Sequence, residues 1–388
     1  SLVVKNKRPF LKLRIYRMMD KQSDNLAMMN AGKTFNLLDG ATGEMEAVYR
    51  EVDSQRRIAA DSTCPLEDRL ASYEDIIDSE VGDTTMVRAR NIEREYGFRQ
   101  LYLKFEGGNP TGTQKDRIAF THAMDALRRG FDVITLASCG NYGVAMAMAA
   151  SMAGIHCLVF IPQGYQTRRI EEMKKIGAEI LRVPGDYESA VELSSKKAAE
   201  KEYYDANPGG TNTNIQLSAY GEIAKEIYDE IRDAPKVIAA PVSNGTTLAG
   251  IYKGFVSLYR RGKTSKIPSF VAGSSHGKNP IVTSFLKHLS TCEDLQRNKI
   301  QETAINEPLI NWHAIDGDHA LAAINHSDGW ATNASDKRMM MISRLIREKE
   351  GLQVLPASTA GLIALLEHHK RNPLPPERYV AVLTGRKA

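Results

Sequence analysis

The sequence predicts an α/β protein of two domains, each built on a mostly parallel sheet flanked by helices, with a small N-terminal extension. Three observations predict it. From Leu101 onward, short apolar stretches alternate with longer helical ones. Single glycines (Gly130, Gly154, Gly177 and Gly262) close those helices. The stretch from Val133 to Gln166 carries no Asp, Glu, Lys or Arg, as expected for strands and a helix covered on both faces.

The elements follow in order. Before Leu101 the chain is polar. Leu11 to Tyr16 and Met45 to Val52 alternate like short strands, Asp39-Gly40 marks a turn, and Glu67 to Glu80 reads as an acidic helix. Leu101 to Phe105 is a strand, followed by the turn Gly107-Gly108-Asn109-Pro110 and a helix from about Gln114 to Arg129. Val133 to Ala137 is a strand, Tyr142 to Met152 a helix, Cys157 to Ile161 a strand, Arg168 to Ile176 a helix, and Glu179 to Val183 a strand. Short connections between such units imply parallel pairing. The second half repeats the rhythm: helix Ala219 to Arg232, strand Val237 to Val242, helix Leu248 to Arg261, strand Ser269 to Gly273, helix Ser358 to His369 and strand Tyr379 to Leu383. The expected division is an extension over 1–72, a first domain over 73–230 and a second over 231–388.

Composition narrows the function classes. The 388 residues are 42% hydrophobic and 25% charged, ordinary for a globular protein, and leave room for two domains. A net charge of +4 without a concentrated basic stripe argues against nucleic acid. The basic run from Lys5 to Arg17 alternates with apolar residues and reads as a solvated arm. Cys64, Cys139, Cys157 and Cys292 have no CxxC spacing, and His368-His369 is too short a pattern, so no metal site is expected. Scattered cysteines suit reduced thiols in the cytoplasm, and charges throughout the first twenty residues do not make a secretory signal. Polar residues from Ser138 to His156 interrupt the charge-free stretch, so no membrane span is expected.

Four places could carry chemistry. Thr113 is placed to cap a helix, with Asp116 three positions on, close to a capping box. Lys115 then falls in the first turn, where the electropositive helix end disfavours a cation. Such a lysine is ordinarily solvated; a desolvated one becomes the neutral, nucleophilic amine that Schiff-base chemistry needs. The turn Ser138-Cys139-Gly140-Asn141-Tyr142 joins a buried strand to a buried helix, either as an ordinary capped turn or as an anion site at the carboxyl edge of a sheet. The loop Ser243-Asn244-Gly245-Thr246-Thr247 has the same setting with more hydroxyls, and suits a phosphate. It is neither a Walker loop nor a GxGxxG fingerprint. Thr384 stands at the mouth of the final strand, before Gly385.

In this order the four features resemble the fold-type II pyridoxal-phosphate enzymes, and most closely the threonine synthase family. That family carries an Asn-Pro-Thr-Gly-Ser/Thr-Phe-Lys-Asp-Arg run, which Asn109 to Arg117 resembles. Its Ser-Thr-Gly-Asn-Thr loop resembles Ser138 to Tyr142, its phosphate loop resembles Pro241 to Thr247, and its Pro-Ala-Ser-Ala-Ala helix start resembles Pro356 to Ala360. The closing Leu-Thr-Gly corresponds to Leu383-Thr384-Gly385, and Gly82 to Val87 is similar to the family's Gly-x-Thr-Pro-Leu segment. The likeness spans about residues 72 to 388.

The resemblance implies that Lys115 carries pyridoxal 5′-phosphate as a Schiff base and shuttles protons. It implies that Asn141 meets the ring hydroxyl, Ser243 to Thr247 the cofactor phosphate, and Thr384 the pyridine nitrogen. Ser138, Cys139, Gly140 and Tyr142 would grip the substrate carboxylate, and Arg168, with Arg169 beside it, a substrate phosphate. The implied activity is a carbon-oxygen lyase converting O-phosphohomoserine and water to threonine and phosphate, in a homodimer whose partner is a small amino-acid substrate. Gln114 stands where the family has Phe, Cys139 and Tyr142 where it has Thr, and Ser243 and Thr246 where it has Gly. Those changes keep open a same-fold enzyme of β-replacement or elimination, either cysteine or cysteate synthase-like and using O-phosphoserine, or a threonine/serine dehydratase. A non-catalytic cofactor-binding regulator is the alternative from another class.

Overall fold

The computed structural model describes residues 53–165 and 167–387. The strands expected at Leu11 to Tyr16 and Met45 to Val52, and the turn at Asp39-Gly40, lie outside the described residues. In chain order the elements begin with α1 (Leu66–Glu80), β1 (Met86–Arg88), α2 (Arg90–Tyr96), β2 (Leu101–Phe105), α3 (Lys115–Arg128), β3 (Val133–Ala137) and α4 (Asn141–Ala153). Then come β4 (His156–Pro162), α5 (Arg169–Ile176), β5 (Glu179–Val183), α6 (Tyr187–Lys201), β6 (Tyr204–Asp205), α7 (Thr213–Ile231), β7 (Val237–Pro241) and α8 (Thr246–Arg260). The rest are β8 (Ser269–Ser275), α9 (Pro280–Leu286), α10 (Gly317–His326), β9 (Trp330–Ala334), α11 (Asp336–Glu350), α12 (Ala360–Arg371) and β10 (Tyr379–Leu383).

The described residues form two compact units, one of residues 53–81 and 122–206, the other of residues 82–121 and 207–387. The first holds a four-stranded sheet in the order β5-β4-β3-β6, with every pairing parallel. Its apolar centre includes Ala137, Leu158, Phe160, Val183 and Ala190. Helix α4 has no charged residue and is buried along most of its length. Gly154, in the left-handed region, ends it as the glycine pattern predicts. No helix among the described residues is long and apolar enough to cross a membrane.

The second unit holds a six-stranded sheet in the order β1-β2-β10-β7-β8-β9. All pairings are parallel except the edge pair β1–β2. Every residue of β7 and β10 is buried, which explains their unbroken apolar sequences. Helix α12 lies so close to β7 that a Cβ on Gly361 would stand 2.5 Å from the Ala240 backbone. Leu383 is paired with Phe105, and Ala381 with both Leu103 and Ala239. The carboxyl ends of β2, β10 and β7 therefore lie level at one edge.

The two units interleave along the chain, whereas the sequence reading divides it into consecutive blocks at 72/73 and 230/231. The physical reason is β2. It leads the strand series in sequence, but its partner is the last strand, β10.

Candidate active site

In the second unit, the turn carrying Lys115 is assembled from buried polar groups. Asn109 is fully buried; its Nδ2 donates to the carbonyl of Glu106 and to Glu106 Oε2, both at 2.9 Å, and its Oδ1 accepts from Gly82 N at 2.9 Å. Thr113 Oγ1 accepts from Lys115 N at 3.2 Å, so Thr113 does cap the helix start. Asp116 does not complete the capping box. Its carboxylate reaches back to Thr111, accepting from the amide at 2.8 Å and from Oγ1 at 2.6 Å, and closes the turn over Lys115. Burial raises the Asp116 carboxyl to about 7, opposed by the two bonds from Thr111.

Arg117 anchors the same turn from below. It donates to Glu106 at 2.6 and 2.9 Å and to Glu226 at 2.7 and 2.9 Å. Lys104, 1% exposed, donates to Glu226 at 2.6 Å. Within this network Arg117 stays charged despite burial, because two carboxylates flank it. The same cations hold the Glu226 carboxyl well below its ordinary range.

Lys115 is half-buried, and desolvation lowers its amine to about 8. The Asp316 carboxylate opposes that shift. An amine near 8 is about one-tenth neutral at pH 7, far more than an ordinary lysine, and the neutral form is the one required of a nucleophile or base.

The turn is stitched to the segment after β10. Gln114 N donates to Thr384 O at 3.0 Å, Thr113 bridges Gly385, and Arg386 N donates to Gly112 O at 2.9 Å. Thr384 Oγ1 donates to Ser358 Oγ at 3.2 Å, and Gly385 N donates to the same oxygen at 2.9 Å. Ser358 is fully buried, and the sequence reading passed over its part in fixing Thr384. Its place in the Pro356 to Ala360 run was the available signal.

The loop from Ser243 to Thr247 follows β7 at the same edge. Ser243 O accepts from Asn279 Nδ2 at 3.0 Å, and Asn244 Oδ1 from Asn311 Nδ2 at 2.8 Å. Gly245 has φ +89°, and a Cβ there would stand 2.7 Å from Ala320 Cβ. As N-cap of α8, Gly245 brings no side chain to the first turn, whose amides have no intrahelical partners. The two threonine hydroxyls do not play one role. Thr246 Oγ1 donates to Asp316 Oδ2 at 2.5 Å, so its proton is committed within the protein. Thus the second unit brings together Lys115, Ser243 to Thr247 and Thr384, with Asp316 among them. Asp316 had no recognisable motif.

The first unit carries the other expected residues. The Ser138 turn follows β3, and Ser138 Oγ accepts from Gly143 N at 2.9 Å and Gly140 N at 3.4 Å. Cys139 and Asn141 are partly exposed. Tyr142 is 6% exposed and its hydroxyl donates to Ala206 O at 2.7 Å, so its ring belongs to the packing of this unit. Arg168 is exposed just before α5, while Arg169 pairs with Glu172 at 2.7 Å. No cluster of metal-ligating side chains occurs among the described residues.

A family model described as pyridoxal-phosphate dependent enzyme matches residues 77–385. A threonine synthase of Methanocaldococcus jannaschii is 31% identical over 311 residues, covering 78% of this chain and 74% of that protein. One of Mycobacterium bovis is 30% identical over 289 residues, covering 74% and 76%. Among solved structures, the processed form of threonine deaminase isoform 2 from Solanum lycopersicum matches with a TM-score of 0.66 at 14% identity, covering 83% of this chain and 90% of that one. That likeness concerns the fold. The chain belongs to the pyridoxal-phosphate-dependent enzyme family and is threonine synthase-like in sequence.

Proposed function

We propose that this enzyme converts O-phosphohomoserine and water to threonine and phosphate. The observation that carries the reading is Lys115: a half-buried lysine, lowered to about 8, on a turn tied by Gln114 to Thr384. The curated relatives named threonine synthase support the choice of reaction.

The residues fit pyridoxal phosphate. A reactive amine, a hydroxyl fixed by Ser358 and an uncapped helix start share one sheet edge. Bound there, the cofactor supplies an electron sink that makes carbons beside an amino group acidic. Lys115 would hold it through Nζ; once the substrate amine takes that place, the freed Nζ would take the α proton, pass it on, and then take a β proton as the γ-phosphate leaves, before water adds at the β carbon. The amides of the Ser243 to Thr247 loop hold the cofactor phosphate, with Thr247 as the loop's second threonine hydroxyl. Thr384 meets the ring nitrogen. Asn141 meets the ring hydroxyl, and the amides of Ser138 to Tyr142 take the substrate carboxylate. Arg168, exposed and charged, is assigned to the substrate phosphate. That Cys64, Cys139, Cys157 and Cys292 form no disulfide supports a cytoplasmic setting, and a homodimer is part of the proposal, testable by sedimentation.

The test is phosphate release. The holoenzyme is expected to release phosphate from O-phosphohomoserine and form threonine, with little release from O-phosphoserine. The reverse preference would move the enzyme to β-replacement. Lys115→Ala should abolish turnover and the visible band of the bound cofactor; a band that persists would refute the Lys115 assignment.

A further inference from the structure

A chain of three side-chain amides in the second unit ends at the loop from Ser243 to Thr247. It starts at Asn279, which is 1% exposed and caps α9. Asn279 Oδ1 accepts from the amides of Ile281 at 3.0 Å and Val282 at 3.2 Å. Two N–H donors require an oxygen opposite them, so the backbone fixes which way this amide is turned. Its Nδ2 then faces the carbonyls of Ser243 at 3.0 Å and of Val242 and Leu309 at 3.3 Å, and the side chain of Asn311 at 3.2 Å.

The constraint passes outward. A donor opposite Asn311 requires Asn311 Oδ1 there, which leaves Asn311 Nδ2 for the next contact. That nitrogen donates to Asn244 Oδ1 at 2.8 Å. Asn244 therefore keeps Nδ2, a donor, as its uncommitted atom. Among the described residues that nitrogen has no hydrogen-bond partner. Thr246 cannot offer its hydroxyl proton in its place, because Asp316 holds it. Turned over, Asn244 would present an oxygen, which a phosphate oxygen repels.

We propose that Asn311 is a positioning residue of the cofactor site: it locks the Asn244 amide so that Asn244 meets the cofactor phosphate as a hydrogen-bond donor. The proposal rests on the reading of Ser243 to Thr247 as the phosphate loop. Asn279, held by the backbone, sets the direction of the chain, and Asn311 transmits it.

The test measures release of pyridoxal 5′-phosphate from the holoenzyme, by loss of the visible band on dilution. Pyridoxal, which lacks the phosphate, is the comparison ligand. Asn244→Ala removes the donor and is expected to weaken cofactor binding about ten-fold. Asn311→Ala frees the Asn244 amide to turn over and should weaken binding several-fold. Asn311→Leu keeps the volume but cannot donate; it should match Asn311→Ala, and serves should the alanine protein not be recovered folded. In the Asn244→Ala background either Asn311 variant should change cofactor affinity by less than about two-fold, because its effect passes through Asn244. Pyridoxal binding should stay within the same margin in every variant. An Asn311 effect that is absent, that persists undiminished in the Asn244→Ala background, or that appears equally with pyridoxal would overturn the proposal and leave Asn311 a prop of the loop. Unchanged cofactor binding in Asn244→Ala would instead fail the phosphate-loop reading beneath it.

Discussion

Two turns in this molecule share one architecture and differ in what holds them. Ser138 to Tyr142 and Ser243 to Thr247 each follow a buried parallel strand and open a helix. In the first, a serine hydroxyl two residues before the N-cap Gly140 takes an amide of the first helical turn, so a neutral side chain tidies the helix start. In the second, the N-cap is a glycine in the left-handed region, and Thr246 turns to a buried carboxylate. The first turn has spent part of its capacity for an anion on Ser138. The second keeps its amides and places charge behind them. The same strand-turn-helix unit becomes a capped joint or an anion cradle according to which side chain faces the first helical turn.

This contrast predicts that charge matters for stability around the second sheet edge and hardly at all around the first. The largest effect is expected at Arg117. Arg117→Met strips the cation from buried Glu106 and leaves part-buried Glu226 with Lys104 alone, and should cost about 3–5 kcal/mol in denaturant unfolding. A loss below about 1 kcal/mol would mean that the network relaxes, and that charge does not distinguish the two edges.

Asp116 should give a smaller, pH-dependent effect. Its folded pKa is raised to about 7 from 3.8. A raised carboxyl contributes stability that is full below the unfolded value and is lost as pH rises through the folded one. Asp116→Asn should therefore gain stability relative to the parent as pH rises from 4 to 8, by on the order of 1–3 kcal/mol. A flat difference would show that Asp116 is not perturbed. The smallest effect belongs to the first turn: Ser138→Ala should cost about 1 kcal/mol, independent of pH between 5 and 8. A marked pH dependence there would erase the contrast.

Much of this was legible in the sequence, for identifiable reasons. Val133–Ala137 and Tyr379–Leu383 were readable to the residue, because buried parallel strands are near-continuous apolar runs. Helix α7 begins at Thr213, well before the expected Ala219, because its first turns are polar; Gln216 is nonetheless 1% exposed, and packing decides its state. Helix α6 was passed over despite a readable signal, the Asp186 cap bonded to Ser189. Strand β9, Trp-Ala-Thr-Asn-Ala, and helix α11, dense in Lys, Arg and Met, lack a clean apolar period. In the site, Lys115 had a motif around it. Asp316 had none, since Thr213 and Thr246 meet it only after folding.

The pairing of β2 with β10 also has a consequence for synthesis. Leu101 aligns with Tyr379, so the strand leading to Lys115 waits for nearly the whole chain before it acquires its neighbour. While the ribosome makes the residues between them, β2 can hold β1 but not its central partner. The β3 to β6 sheet is complete far sooner. Birth order and assembly order therefore differ: the lysine is made early, and its surroundings close last.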